Sequence, residues 1–152
     1  MREKEIQLFT QAMQLAKDEF YLDAIRILNQ LINEFPESEL VDDAYYDIGL
    51  CYFNMNQFQN AIEIFQKVID EFPNATISVL TGGDEYGKTA AKCYYALMNC
   101  YLGLNDTVNA MKMIKKLETY DDSFIIDNTG VKFSFKELAK KAYNLFTKRK
   151  DE

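Results

Sequence analysis

Histidine is absent from the 152 residues of this chain. That one absence removes Ser-His-Asp and Cys-His catalysis, HExxH zinc sites and every zinc site that needs imidazole. Glycine and proline are few, six and two, which excludes a collagen-like period and argues against long low-complexity linkers. The three cysteines, Cys51, Cys93 and Cys100, form no CxxC and no metal-type spacing. All three fall inside helical apolar patterns, where a thiol packs as a small hydrophobe, and an odd number suits a reducing compartment. No apolar run approaches the roughly 18 residues of a membrane span, so membrane insertion is not expected. The opening MREKEIQLF reads as an amphipathic helix without a secretory core. The expected location is cytoplasmic for the sequence as it stands, and periplasmic if a signal sequence has been removed.

Basic residues are also scarce at first. Residues 1–85 carry 5 Lys/Arg against 16 Asp/Glu, whereas residues 86–152 carry 12 against 8, for a net charge of −7. A general nucleic-acid binder needs a basic footprint to displace counterions, so no nucleic-acid partner is expected. The uneven charge reads either as two solvated faces or as a bipolar surface able to pair head to tail. With 48% hydrophobic and 27% charged residues, the composition is that of a globular domain with one continuous core.

What is present is a repeat. Tyr21-Leu-Asp-Ala-Ile25 aligns with Phe58-Gln-Asn-Ala-Ile62, Leu28 with Phe65, Leu31 with Val68, and Glu34-Phe35-Pro36 with Glu71-Phe72-Pro73, all at an offset of 37. Each segment is the second helix (B) of a pair, preceded by a first helix (A). Gly49 gives helix A a bare spot where helix B crosses, and Ala61 is the matching small residue on B. Tyr45, Tyr52 and Phe65 fill the space around them, and Pro73 ends helix B because it cannot extend the hydrogen-bond ladder. The first pair carries Leu8, Ala12, Leu15, Ala24, Leu28 and Pro36 in the same phase. The third carries Tyr94, Leu97, Tyr101, Ala110, Ile114 and Leu117, with Met98 in place of the glycine and no closing proline. From Ala61 to Ala110 is 49 residues, so 12 extra lie between the second and third pairs.

After Tyr120 the character changes. Phe124 to Phe133 places a turn centre, Asp127 to Gly130, between apolar alternations, which predicts a small hairpin or a packed loop. Ser134-x-x-Glu137 is a capping box, and Leu138, Ala139, Ala142, Leu145 and Phe146 recur behind it at helical spacing. This last helix is expected to cover the open face of the final repeat.

Tyr45-x2-Ile48-Gly49-x2-Tyr52, then Ala61-x3-Phe65 and Pro73, resembles the tetratricopeptide repeat family, with Tyr45 standing for Trp. The resemblance covers roughly residues 5–122. Its Glu-Phe-Pro endings look most like bacterial members associated with the Tol–Pal system and outer-membrane assembly. The fold so implied is an all-α, right-handed solenoid of about three helix pairs with a C-terminal cap. The divisions are repeat 1 about 5–38, repeat 2 about 42–75, an insertion about 76–90, repeat 3 about 91–122, an irregular segment 123–133 and a capping helix 134–150. The repeat-packing residues are Ala12, Ala24, Gly49, Tyr52, Ala61, Phe65, Pro73, Tyr101 and Ala110.

The resemblance further implies a non-catalytic scaffold or adaptor whose A helices line a groove for a peptide or partner helix. The groove places fall on Ile6, Phe9, Met13 and Lys17, then Asp43, Tyr46, Leu50, Phe53 and Asn54, then Lys92, Tyr95, Asn99 and Leu102. So aromatic a surface suits an apolar or amphipathic ligand, unless the chain's own 74–90 segment or C-terminal region covers part of it. No cofactor and no metal are implied. The alternative of another class is a self-assembling structural subunit, stacked through its acidic and basic halves into a homo-oligomer. Gly82-Gly-Asp-Glu-Tyr-Gly87-Lys88-Thr89 also matches the GxxxxGK[ST] phosphate loop. Asp84 and Glu85 would set two negative charges inside it, and the parallel strands that such a loop requires are missing. Nucleotide binding through Gly82 to Thr89 is therefore a remote alternative.

Overall fold

The turns between paired helices repeat as regularly as the side chains do. The computed structural model describes residues 2–78 and 83–150. The helices are α1 (Arg2–Lys17), α2 (Tyr21–Glu34), α3 (Val41–Asn54), α4 (Phe58–Glu71), α5 (Thr89–Gly103), α6 (Thr107–Lys116) and α7 (Phe135–Lys150). The turns α1–α2, α3–α4 and α5–α6 place Glu19, Asn56 and Asn105 at φ 67°, 61° and 63°. In each, the following N–H reaches back five residues, Phe20 to Leu15, Gln57 to Tyr52 and Asp106 to Tyr101, at 2.8, 2.9 and 2.8 Å. Such a left-handed stop satisfies carbonyls that a helix end leaves free. The three turn residues stand 37 and 49 apart, the same offsets as the repeat.

Helices α2 and α4 are amphipathic and bury matching rows, Ala24, Ile25, Leu28 and Leu31 on one, Ala61, Ile62, Phe65 and Val68 on the other. Both end where Phe35 and Phe72 donate to Leu31 and Val68 at 2.8 Å, and the proline that follows each has no N–H to offer. A Cβ built on Gly49 would lie 2.5 Å from Phe65 Cε1, so the absent side chain is what lets α4 cross α3 this closely. Gly103 does the same for Phe58 of α4, whose Cε1 would be 2.7 Å away. Met98 is fully buried where the second pair has Gly49.

Consecutive helices pack on one another from α1 to α6, and α7 lies against both α5 and α6. Three apolar clusters result: α1–α2–α3, then α3–α4–α5, then α5–α6–α7. Tyr45 and Tyr52 pack against the first two and Tyr94 and Tyr101 against the last two, so the core is continuous. Ala12, Ala24, Ala61, Phe65 and Ala110 are fully buried, while Pro73 is exposed. The thiols of Cys51, Cys93 and Cys100 are all free and buried, and burial pushes them up, Cys51 to about 11 and Cys100 to about 12.

Two segments depart from the helical plan. The insertion contributes β1 (Glu85–Tyr86), and the stretch after α6 forms the hairpin β2 (Phe124–Ile126) and β3 (Lys132–Ser134). Together they make a three-stranded antiparallel sheet in the order β1-β2-β3, pairing Glu85 with Ile125 and Phe124 with Ser134. Of the two forms expected for Phe124 to Phe133, a hairpin or a packed loop, the chain takes the hairpin. Asp127 Oδ1 nucleates its turn by accepting from Thr129 N, Thr129 Oγ1 and Val131 N at 2.7–2.9 Å. Behind it, Glu137 N donates to Ser134 Oγ at 3.0 Å and Ser134 N donates to Glu137 Oε2 at 3.3 Å, a reciprocal cap on α7.

Candidate functional site

The face formed by α1, α3 and α5 is where the groove residues were expected. The insertion runs over its middle. Ile77 N donates to Gly87 O at 2.8 Å and Thr89 N to Ala75 O at 3.1 Å, so the loop closes on itself before α5 begins. The same loop is fastened to α3: Thr89 Oγ1 donates to Asp42 Oδ2 at 2.7 Å, and Ser78 N donates to Asp43 Oδ2 at 3.3 Å. Thr89 is also the first residue of α5. The loop is also fastened to the hairpin, through β1 and through Lys88 N, which donates to Ser123 Oγ at 2.9 Å.

Beneath the insertion lies a charge cluster. Lys92 is only 7% exposed and sits with Nζ 3.1 Å from Glu85 Oε2 and 4.0 Å above the Tyr46 ring. Burial alone would lower its pKa, but Asp47, Glu85 and Asp43 outweigh that and hold it above the ordinary lysine value. Asp43 and Asp47 are 5% and 9% exposed. Burial raises Asp43 to about 8, with Asp42 adding to the effect, and raises Asp47 to about 7. Asp42 is raised too, for the same reason.

The expected groove residues therefore have four fates. Phe9, Met13, Asp43 and Lys92 come together, with Leu40, Asp47, Ile77 and Glu85, around a cleft of about 290 Å³ at the α1 end. Tyr46 is buried under Lys92 and packs on Phe65 with ring centroids 5.4 Å apart, so it belongs to the core. Toward the other end the chain fills its own face. Leu102 is buried in the α5–α6–α7 cluster, and Tyr95 lies 6.1 Å from Phe135 at the start of α7. Leu50, Phe53 and Asn99 are half-buried, Phe53 against Phe58, and Asn54 is exposed; none of the four lines the cleft.

Asp47 and Glu85 belong to the cleft and were not among the expected residues. Asp47 had a signal: it follows Asp43 by one helical turn on the same face of a mostly apolar helix. Glu85 had none, since its place depends on the path of the insertion. In the phosphate-loop match, Gly82 lies outside the described residues. The rest of the string has structural partners: Gly87 (φ 107°) packs on Ser123, Lys88 Nζ donates to Asn74 O at 3.4 Å, and Thr89 is buried against Asp42. Among the described residues no group of three or more Cys, Asp or Glu is placed to hold a metal ion, and no helix is long and apolar enough to cross a membrane.

Residues 43–75 match the family described as tetratricopeptide repeat. No curated protein sequence matches the chain. Solved structures do. The Hsp90 co-chaperone Cns1 from Saccharomyces cerevisiae is 14% identical at a TM-score of 0.67, with 99% of this chain covered. PcrH from Pseudomonas aeruginosa is 12% identical at 0.69, with 97% covered, and yeast Tom70 is 16% identical at 0.60, with 99% covered. The chain spans 41% of the Cns1 chain, 94% of PcrH and 26% of Tom70. At these identities the likeness speaks for the fold alone. This is an α-helical repeat fold, and its second helix pair matches the tetratricopeptide repeat.

Proposed function

We propose that this chain is a non-catalytic protein-interaction module that takes a peptide or helix of a partner protein at the α1 end of its A-helix face. The observation that carries the reading is the cleft between α1, α3 and the insertion. It is open there and walled by Phe9, Met13, Leu40 and Ile77, while at the other end Tyr95 and Leu102 pack into the chain's own α5–α6–α7 cluster. Mixed apolar walls with a few placed polar groups are how helical grooves hold segments of other proteins. One structural neighbour is by its description a co-chaperone of Hsp90, which agrees with a role in handling another protein.

The test is position-specific. A photo-crosslinking residue placed at Thr10, which lines the cleft and is exposed, is compared with the same residue at Glu63, exposed on α4 away from it. In the cells that make the protein, a partner crosslinked from position 10 and absent from position 63 supports the reading. The same set of products from both positions overturns it.

A further inference from the structure

The cleft holds more carboxyl groups than cations. Three carboxyl groups, on Asp43, Asp47 and Glu85, line it beside one ammonium, on Lys92. Two of the three have protein donors: the Ser78 backbone for Asp43 and Lys92 for Glu85. The third is Asp47. It is 9% exposed and lines the cleft, and among the described residues no donor bonds its carboxylate. Its carboxylate oxygens reach the cleft rather than being sealed in the core, and burial of the residue holds the group toward its neutral form, at about 7.

The chemistry that would satisfy Asp47 is constrained by its surroundings. A bare metal ion does not suit them, because the described carboxylates do not gather in threes around a point and the opposite wall is hydrocarbon. A cationic head on an alkyl stem suits both halves: the head meets a carboxylate and the stem lies along apolar side chains. At about 290 Å³ the cleft sits at the bottom of the range for ligand sites, roughly 300–1,000 Å³, which is room for one long side chain rather than a whole cofactor. We infer that the cleft receives a basic side chain of the partner segment, its charged head against Asp47 and its alkyl stem against Phe9 and Met13. The inference rests on the peptide-binding reading above and names what that segment must contain.

The probes are an acetylated, amidated peptide Ala-Leu-Lys-Leu-Ala, the same peptide with norleucine for lysine, and free cadaverine. Each is titrated into nitrogen-15-labelled protein and followed by amide shifts. The lysine peptide is expected to shift Met13 and Asp47 saturably. The norleucine peptide should bind roughly tenfold or more weakly, the loss of a charge-assisted contact. Asp47→Asn, a neutral isostere that removes a buried charge, should bring the lysine peptide down to the norleucine level, while Glu63→Gln leaves it unchanged. Equal affinity for the two peptides on wild type overturns the inference without need of any variant, and so does the absence of any shift at Asp47. Cadaverine binding as tightly as the lysine peptide overturns it in favour of a free diamine. Crosslinking at position 10 is independent of all three probes, so loss of the basic-side-chain requirement and loss of the groove reading are separately visible.

Discussion

At the scale of single residues, the buried carboxylates decide how the protein responds to pH. Asp43 and Asp47 stand at about 8 and about 7 in the folded chain, against 3.8 ordinarily, chiefly through burial. The folded state therefore keeps protons that the unfolded chain releases above about pH 4. That contribution to stability is complete below pH 4 and is lost as pH rises through 7 and 8. The titratable groups that interact with Asp47 are Asp43, Tyr46 and Cys51 on its own helix, Glu85 on β1 and Lys92 and Cys93 on α5; α1 lines the cleft only with uncharged Phe9, Thr10 and Met13. The lowered carboxylates, Glu34, Asp106 and Asp127, act only in the acid region, and Lys92, raised above 10.5, acts only in the alkaline one. Calorimetry should accordingly give a higher Tm near pH 5.5 than near pH 8.5. Asp47→Asn should raise the Tm near pH 8.5 by several degrees and narrow the difference, given roughly 2–4 °C per kcal/mol for a chain of this size. A flat wild-type profile, or a variant that melts lower near pH 8.5, would contradict the assignment.

At the scale of elements, the hairpin and α7 behave as a lid on α5 and α6. Phe135 is 2% exposed, packs against Tyr95, and donates its N–H to Ser123 O at 3.2 Å. One residue earlier, the Ser134 side chain serves the cap, and its backbone the strand. Ser134→Ala should thus cost about 1 kcal/mol, a lost N-cap. Phe135→Ala should cost about 3–5 kcal/mol, a large cavity. Urea titration compares the two, and equal losses would mean that the ring does not anchor the lid. The same contrast explains what could be read in advance. The helix pairs were legible because Gly49, Ala61, Phe65 and the Glu-Phe-Pro stops act within one pair, and their spacing is the geometry. The capping box of α7 was legible for the same reason. The fate of Tyr46 and Lys92 was not. Their positions on α3 and α5 follow from the repeat, but their exposure is set by a loop that leaves α4, crosses α3 and pairs with a strand some 40 residues on, Glu85 with Ile125. No periodicity encodes that path. Asp127 to Gly130 marked a turn, yet only the partner strand made the choice between a loop and a sheet.

At the scale of the whole molecule, a simple helical repeat array touches only its neighbours and can open one unit at a time. Here the insertion joins α3 to the hairpin, and the hairpin leads into α7, so the middle of the chain is bound to its later part. The thiols give that arrangement a measurable consequence. Cys51 lies in the first cluster, Cys93 and Cys100 in the second, and each is held as an unreactive thiol by its burial. A thiol reagent can reach them only while the surrounding helices are apart, so the rate of modification counts openings. In single-cysteine variants all three sites should react at one common slow rate, as a tied stack requires. A Cys51 that reacts well ahead of the others would instead mean that the first helices breathe on their own. Sulfur placed for packing thus doubles as a clock for how the molecule comes undone.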